Sequence, residues 1–113
     1  MSKAAAHRST PDALAVLSDQ IDEACGTLRA MANETRLKVL CVLSSGEMSV
    51  NQLAEMTGQS LSAVSQHLAK LRAEGLVATR REAQTIYYRM AGGVGMAVIE
   101  ALCRYYGEDS RLT

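Results

Sequence analysis

From Asp12 the apolar positions Leu14, Leu17, Ile21, Ala24, Leu28 and Met31 recur at intervals of three and four, the period of a helix with one apolar face. The acidic residues of its first turns suit the positive end of the helix dipole. The pattern predicts a first helix over roughly residues 12–30. Asn33 is a suitable N-cap for a second helix carrying Leu37, Leu40, Cys41 and Leu43, which the Ser44-Ser45-Gly46 break ends. Ser49 followed by Gln52 has the form of a capping box and opens a brief helix with Val50, Leu53 and Ala54, ended by Gly58. Ser60 then caps a helix whose stripe is Leu61, Val64, Leu68 and Leu71 and which stops at Gly75. Two helices joined by Thr57 to Gln59 form a helix-turn-helix.

Beyond Gly75 the periodicity changes. Leu76 to Arg81 and Thr85 to Met90 are β-prone segments around a polar tip, Glu82-Ala83-Gln84, and predict a hairpin. After Ala91-Gly92-Gly93, helical spacing returns with Met96, Ile99, Leu102 or Cys103, and Tyr106, and a stop is expected at Gly107. Residues 1–11 lack periodicity and are expected to form a flexible tail, with a domain over 12–108 and a short C-terminal tail over 109–113. The fold class is therefore mainly α (α+β): a winged helix-turn-helix of four helices, a two-stranded wing and a last helix, with long helices at both ends.

Composition narrows the function. The chain has 113 residues, short for a conventional multidomain enzyme, and 48% of them are hydrophobic, well away from the composition of disordered chains. Its longest strongly apolar run is Val39 to Leu43, where a membrane span needs roughly twenty residues. No apolar segment follows Lys3 and Arg8 in the manner of a secretion signal, so a cytoplasmic location is expected. With no Phe or Trp, the core falls to Leu, Val, Ile, Met and Ala, and a domain of this size gains by sharing core across a dimer.

Twelve basic residues against twelve acidic ones argue, as a sum, against a nucleic-acid partner. Resolved along the chain the sum divides. Residues 12–34 carry five carboxylates against Arg29, while residues 60–89 carry Lys70, Arg72, Arg80, Arg81 and Arg89 against Glu74 and Glu82.

With the stripe of residues 60–74 turned inward, the opposite face presents Ser62, Ala63, Ser65, Gln66, His67 and Lys70, with Ser60 at its start. This chemistry suits a major groove. Gln bonds the adenine N6/N7 edge, Ser reaches base or phosphate, an Ala methyl meets a thymine methyl, and Lys70 reaches a phosphate. Arg80 and Arg81 on the wing and Gln84 at its tip are placed against the backbone or the adjacent minor groove. The competing readings are a solvated helix face, an edge strand guarded by charge, and a hydrogen-bonded structural role for His67. No catalytic constellation, phosphate loop, metal cluster or cofactor site emerges.

Three segments in order, Ala30-Met31-Ala32-Asn33-Glu34-Thr35-Arg36-Leu37, Ser62 to Arg72, and Gly75-Leu76-Val77 through Thr85-Ile86-Tyr87-Tyr88, resemble the ArsR/SmtB family of small bacterial transcriptional regulators over about residues 14–108. The resemblance implies a homodimeric winged-helix repressor, joined through its first and last helices, that binds an inverted-repeat operator in double-stranded DNA and releases it on a signal. The alternatives are a winged-helix module that binds protein only, and the dimerisation domain of an enzyme, for which residues up to Thr113 offer no catalytic part.

The family's metal sites do not carry over. Where its arsenic and cadmium sensors have a Cys-Val-Cys, this chain has Ser49 and Asn51 at the cysteine positions, and its last helix offers only Glu100 where the zinc and nickel sensors have Asp and His. Cys25, Cys41 and Cys103 are expected reduced, either as small buried hydrophobes or as sensors. A sulfur- and redox-sensing branch pairs a cysteine in a Leu-Cys-x-Leu setting, matched by Cys41, with one near the end of the last helix. That second position falls at Gly107, one turn (about 6 Å) beyond Cys103, an offset large enough to prevent a disulfide. The Met-Ala-Asn-x-x-Arg-Leu start, the Ala83 to Tyr88 wing and the Tyr106-Gly107-Glu108-Asp109 ending resemble the nodulation-gene repressor branch, whose members have no obvious metal site.

Overall fold

The computed structural model of the protein describes residues 12–112, so the expected tail over 1–11 lies outside the described residues, as does Thr113. Four of the helices begin where a short polar side chain reaches a free backbone donor. Asp12 accepts from the Leu14 amide to open α1, Ala13–Leu17. Asn33 accepts from the Arg36 amide at 3.0 Å to open α3, Glu34–Leu43. Both arms of the expected capping box form: Gln52 N donates to Ser49 Oγ at 3.2 Å, and Ser49 N to Gln52 Oε1 at 2.9 Å, starting α4, Val50–Thr57. Gly58 at φ 70° ends α4, because its left-handed backbone costs a glycine little. Ser60 Oγ then accepts from the Ala63 amide at 3.1 Å to open α5, Leu61–Ala73.

The first helix is not continuous as expected. A 3-10 turn over Ser18–Gln20 separates α1 from α2, Ile21–Met31. No residue of α1 is buried, so little tertiary packing holds this segment to the α-helical path, and the Ser18 hydroxyl bonds back to the Ala15 carbonyl.

The wing strands are β2, Val77–Glu82, and β3, Thr85–Met90, paired antiparallel with Glu82 opposite Thr85. The turn is therefore Ala83-Gln84, with Ala83 at φ 56°, and is one residue shorter than expected. A third strand escaped the sequence: β1, Met48–Ser49, lies on the other side of β3 and opposes Tyr88 and Tyr87, giving the sheet order β1-β3-β2. It ties the entrance of the helix-turn-helix to the wing.

The last helix, α6, spans Gly93–Leu112 and continues through Gly107, where a stop was expected. A lone glycine inside a helix costs only about 1 kcal/mol relative to alanine, too little to end a helix of twenty residues. The core collects one stripe from each inner element, with Leu40, Leu53, Val64, Leu68, Leu71 and Ile99 fully buried. Gly95 brings α6 onto the base of the wing, where a Cβ would stand 2.6 Å from Leu76 Cδ2. The result is a winged helix-turn-helix whose α5 is fixed on one side by the core and open on the other.

Candidate nucleic-acid interface

On α5, the buried positions Val64, Leu68 and Leu71 fix which face turns outward. Ser62, Ser65, Gln66 and Lys70 are exposed on the far side, where the pattern of apolar residues placed them, while Ala63 is half-buried on one flank. The Ser60 hydroxyl at the helix start is committed to its cap. The outward face is thus short-chained and polar along its length with a cation near its end, a surface that fits a groove without steric obstruction.

His67 is placed differently from its neighbours. It is half-buried, and its Nδ1 lies 3.4 Å from Nη1 of Arg36. A guanidinium only donates, so in this contact Nδ1 is the acceptor. Arg36 also donates through Nε to the Ala30 carbonyl and through Nη2 to the Arg29 carbonyl at 3.3 Å. One side chain thereby bonds two carbonyls of the last turn of α2 and holds the flank of α5. Sequence reasoning found Arg36 only as a letter of a motif.

The two wing arginines differ. Arg80 Nε lies 2.9 Å from both carboxylate oxygens of Glu47, its Nη2 is 2.9 Å from one of them, and its Nη1 is 3.3 Å from Glu82. Its guanidinium also covers the Tyr87 ring at 4.8 Å from the centroid. The hydrogen bond to Glu47, ahead of the attraction of the two carboxylates, pushes its pKa further up. Arg80 therefore fastens the wing to the loop before β1, with its charge answered in place. Arg81 is exposed and has no ion pair among the described residues. Gln84 is exposed at the wing tip and lines a cleft of about 260 Å³ with Ser49, Asn51 and Thr85.

All three cysteines are exposed, which corrects the expectation of buried small hydrophobes. The helical spacing that placed Cys41 beside Leu40 and Leu43 did not say on which side of the stripe it falls. Cys41 borders a groove of about 490 Å³ with Leu37, Val42 and Met56. Partial desolvation against the groove wall pushes its thiol pKa up, and the charge of Cys103 adds to the rise. Among the described residues no cluster of three or more His, Cys, Asp or Glu stands ready to hold a metal, and no helix is long and apolar enough to cross a membrane.

Away from α5, the terminal helices leave a large apolar surface uncovered. Leu14, Leu28, Val94 and Tyr105 are each more than half exposed. A groove of about 460 Å³ between α2 and α6, lined by Leu17, Thr27, Leu28, Val94 and Val98, continues the patch. Scattered apolar residues are ordinary on a monomer, whereas a contiguous patch marks an interface.

Comparison with known proteins agrees with this geometry. Residues 33–79, which hold α3 to the start of the wing, match the model of the bacterial regulatory protein, arsR family. The nodulation protein NolR of Rhizobium meliloti is 51% identical over 87 residues, 77% of this chain and 71% of NolR. The transcriptional activator HlyU of Vibrio cholerae is 52% identical over 79 residues, 70% of this chain and 73% of HlyU. The structure of reduced HlyU superposes with a TM-score of 0.75 over 80% of this chain and 95% of that one, at 47% identity. A homodimeric winged helix-turn-helix DNA-binding domain of a possible ArsR-family regulator from Mycobacterium bovis superposes with a TM-score of 0.73 over 92% of this chain and 94% of that one, at 32% identity.

Proposed function

The chain belongs to the ArsR family of bacterial regulatory proteins, and we propose that within it this protein is a homodimeric repressor that binds an inverted-repeat operator through α5 and the β2–β3 wing. As a family member it is a DNA-binding regulator of transcription and not an enzyme. The observation that carries the reading is α5 itself, with Val64, Leu68 and Leu71 buried on its inner side, Leu61 at its first turn left exposed, and the polar outer face of Ser62, Ser65, Gln66 and Lys70.

In this reading Gln66 reads a base edge, with Ser62, Ala63 and Ser65 beside it at bases and nearby phosphates. Lys70 and Arg81 supply salt-dependent attraction to the backbone, and Gln84 reaches the neighbouring groove. Arg80 holds the wing, and His67 acts through Arg36 to hold the flank of α5. The exposed apolar surface of α1, α2 and α6 supports dimerisation, as does the homodimeric Mycobacterium bovis neighbour. Two-fold symmetry then sets two copies of α5 about one turn of DNA apart. The location that follows from such a partner is the cytoplasm.

The exposure of Cys41 and Cys103 as free thiols favours a second reading, in which their oxidation or persulfidation releases the operator. A gel shift against the protein's own upstream region tests both, with thiols reduced, oxidised or persulfidated and with Cys41→Ser alongside. Retardation no greater than for a scrambled duplex contradicts the operator reading. An identical shift in every thiol state removes the thiol reading.

A further inference from the structure

Beside the outer face of α5, a cavity of about 280 Å³ joins three elements. Arg29 from the last turn of α2, Arg36 from the first turn of α3 and Lys70 from α5 line it together with Glu74. Three cations thus face one carboxylate. Among the described residues neither Arg29 nor Lys70 forms an ion pair. Glu74 lies against the backbone of α2 where Gly26 leaves room for it, since a Cβ there would stand 2.9 Å from Glu74 Oε1. Arg36 spends three of its five N–H donors on the Ala30 and Arg29 carbonyls and on His67, and keeps two.

A concave wall of excess positive charge concentrates anions. Its cationic donors accept nothing, so the occupant must offer acceptor oxygens in several directions at once. A tetrahedral oxyanion meets three donors arriving from three elements, and guanidinium groups fit its edges in pairs. We propose that this cavity binds a phosphate group, held by Arg29, Arg36 and Lys70, with Glu74 limiting the affinity by its like charge. Two sources present that chemistry: a phosphate of the DNA strand flanking α5, and a free phosphate or phosphoester. In either case occupancy ties the dimerisation helix α2 to α5. The DNA source rests on the operator reading above, and the free source does not.

Full-length protein, Arg29→Ala and Glu74→Gln decide it in two arms. The side chains of Arg29 and Glu74 are exposed and take part in none of the described hydrogen bonds, so both variants are expected to fold. In the first arm, inorganic phosphate is titrated at constant ionic strength and followed by the amide NMR shifts of residues 26–36 and 67–74. Saturable binding, weakened about fivefold by Arg29→Ala and tightened by Glu74→Gln, establishes the site with a free anion as its occupant. In the second arm, DNA affinity is measured against salt. If phosphate does not saturate, a fall of about 0.9 per half-site in the logarithmic salt slope for Arg29→Ala, with tighter DNA binding for Glu74→Gln, establishes the site with the DNA backbone as its occupant. If the two substitutions change neither titration in opposite directions, the proposal is overturned. A wild-type chain that fails to bind any DNA counts against the operator reading, and the phosphate arm still decides the cavity.

Discussion

Nη1 of Arg36 and Nδ1 of His67, 31 residues apart in the chain, meet at 3.4 Å and join the corner between α2 and α3 to the flank of α5. Because Arg36 also bonds two carbonyls at the end of α2, its removal loosens both ends of this connection. Arg36→Ala is expected to lower stability by about 1–3 kcal/mol in urea unfolding. Arg36→Lys is expected to recover only part of that, since one ammonium cannot serve three acceptors in a fork. An unchanged unfolding midpoint for Arg36→Ala would contradict this role.

The pairing of Arg80 with Glu47 separates the two wing arginines. Arg81→Ala is expected to reduce the logarithmic salt slope of DNA binding by about 0.9 per half-site, while Arg80→Ala changes it little. Glu47→Ala, which frees the Arg80 charge, is expected to steepen the slope. Equal effects of the two arginine substitutions on the slope would show that Arg80 leaves Glu47 on binding.

Gln66 is the residue of α5 best suited to a base edge. Gln66→Ala is expected to cost about 1–3 kcal/mol on the operator and far less on random duplex, measured by fluorescence anisotropy. Equal weakening on both sequences would mean that it reads no base.

Cys41 is expected to be a sluggish nucleophile at neutral pH, because partial desolvation and then Cys103 hold its thiol in the protonated form. Its alkylation should rise with pH only above the ordinary thiol range, and Cys103→Ser should move that rise to lower pH by removing the neighbouring thiolate. A Cys41 alkylation profile that is unmoved by Cys103→Ser would separate the two sulfurs.

What was legible in the sequence was local. The caps at Asn33, Ser49 and Ser60 act within three residues, so their spacing announces them, and Val64, Leu68 and Leu71 define the outer face of α5 by their spacing alone, although Leu61 of the same stripe is exposed. What was not legible depends on partners far along the chain. Strand β1 is two residues long, too short for a period, and exists because Tyr87 and Tyr88 lie beside it. Arg80 looked like a free cation until Glu47, 33 residues earlier, was brought against it. His67 was legible as either groove contact or structural residue, and its contact with Arg36, 31 residues earlier, could not be read from spacing. Arg29, read as the one cation of an acidic helix, belongs to a basic cavity because α2 ends against α5. Gly107 resembled a stop, yet the helix passes through it, as isolated glycines permit.

The most direct test of a symmetric dimer reading DNA through two copies of α5 is a hydroxyl-radical footprint on the protein's upstream region, with stoichiometry from sedimentation. Two protected patches on one face of the duplex, about ten base pairs apart, with two chains bound per operator, are expected. A single protected patch, uniform protection along the duplex, or one chain per site would contradict it.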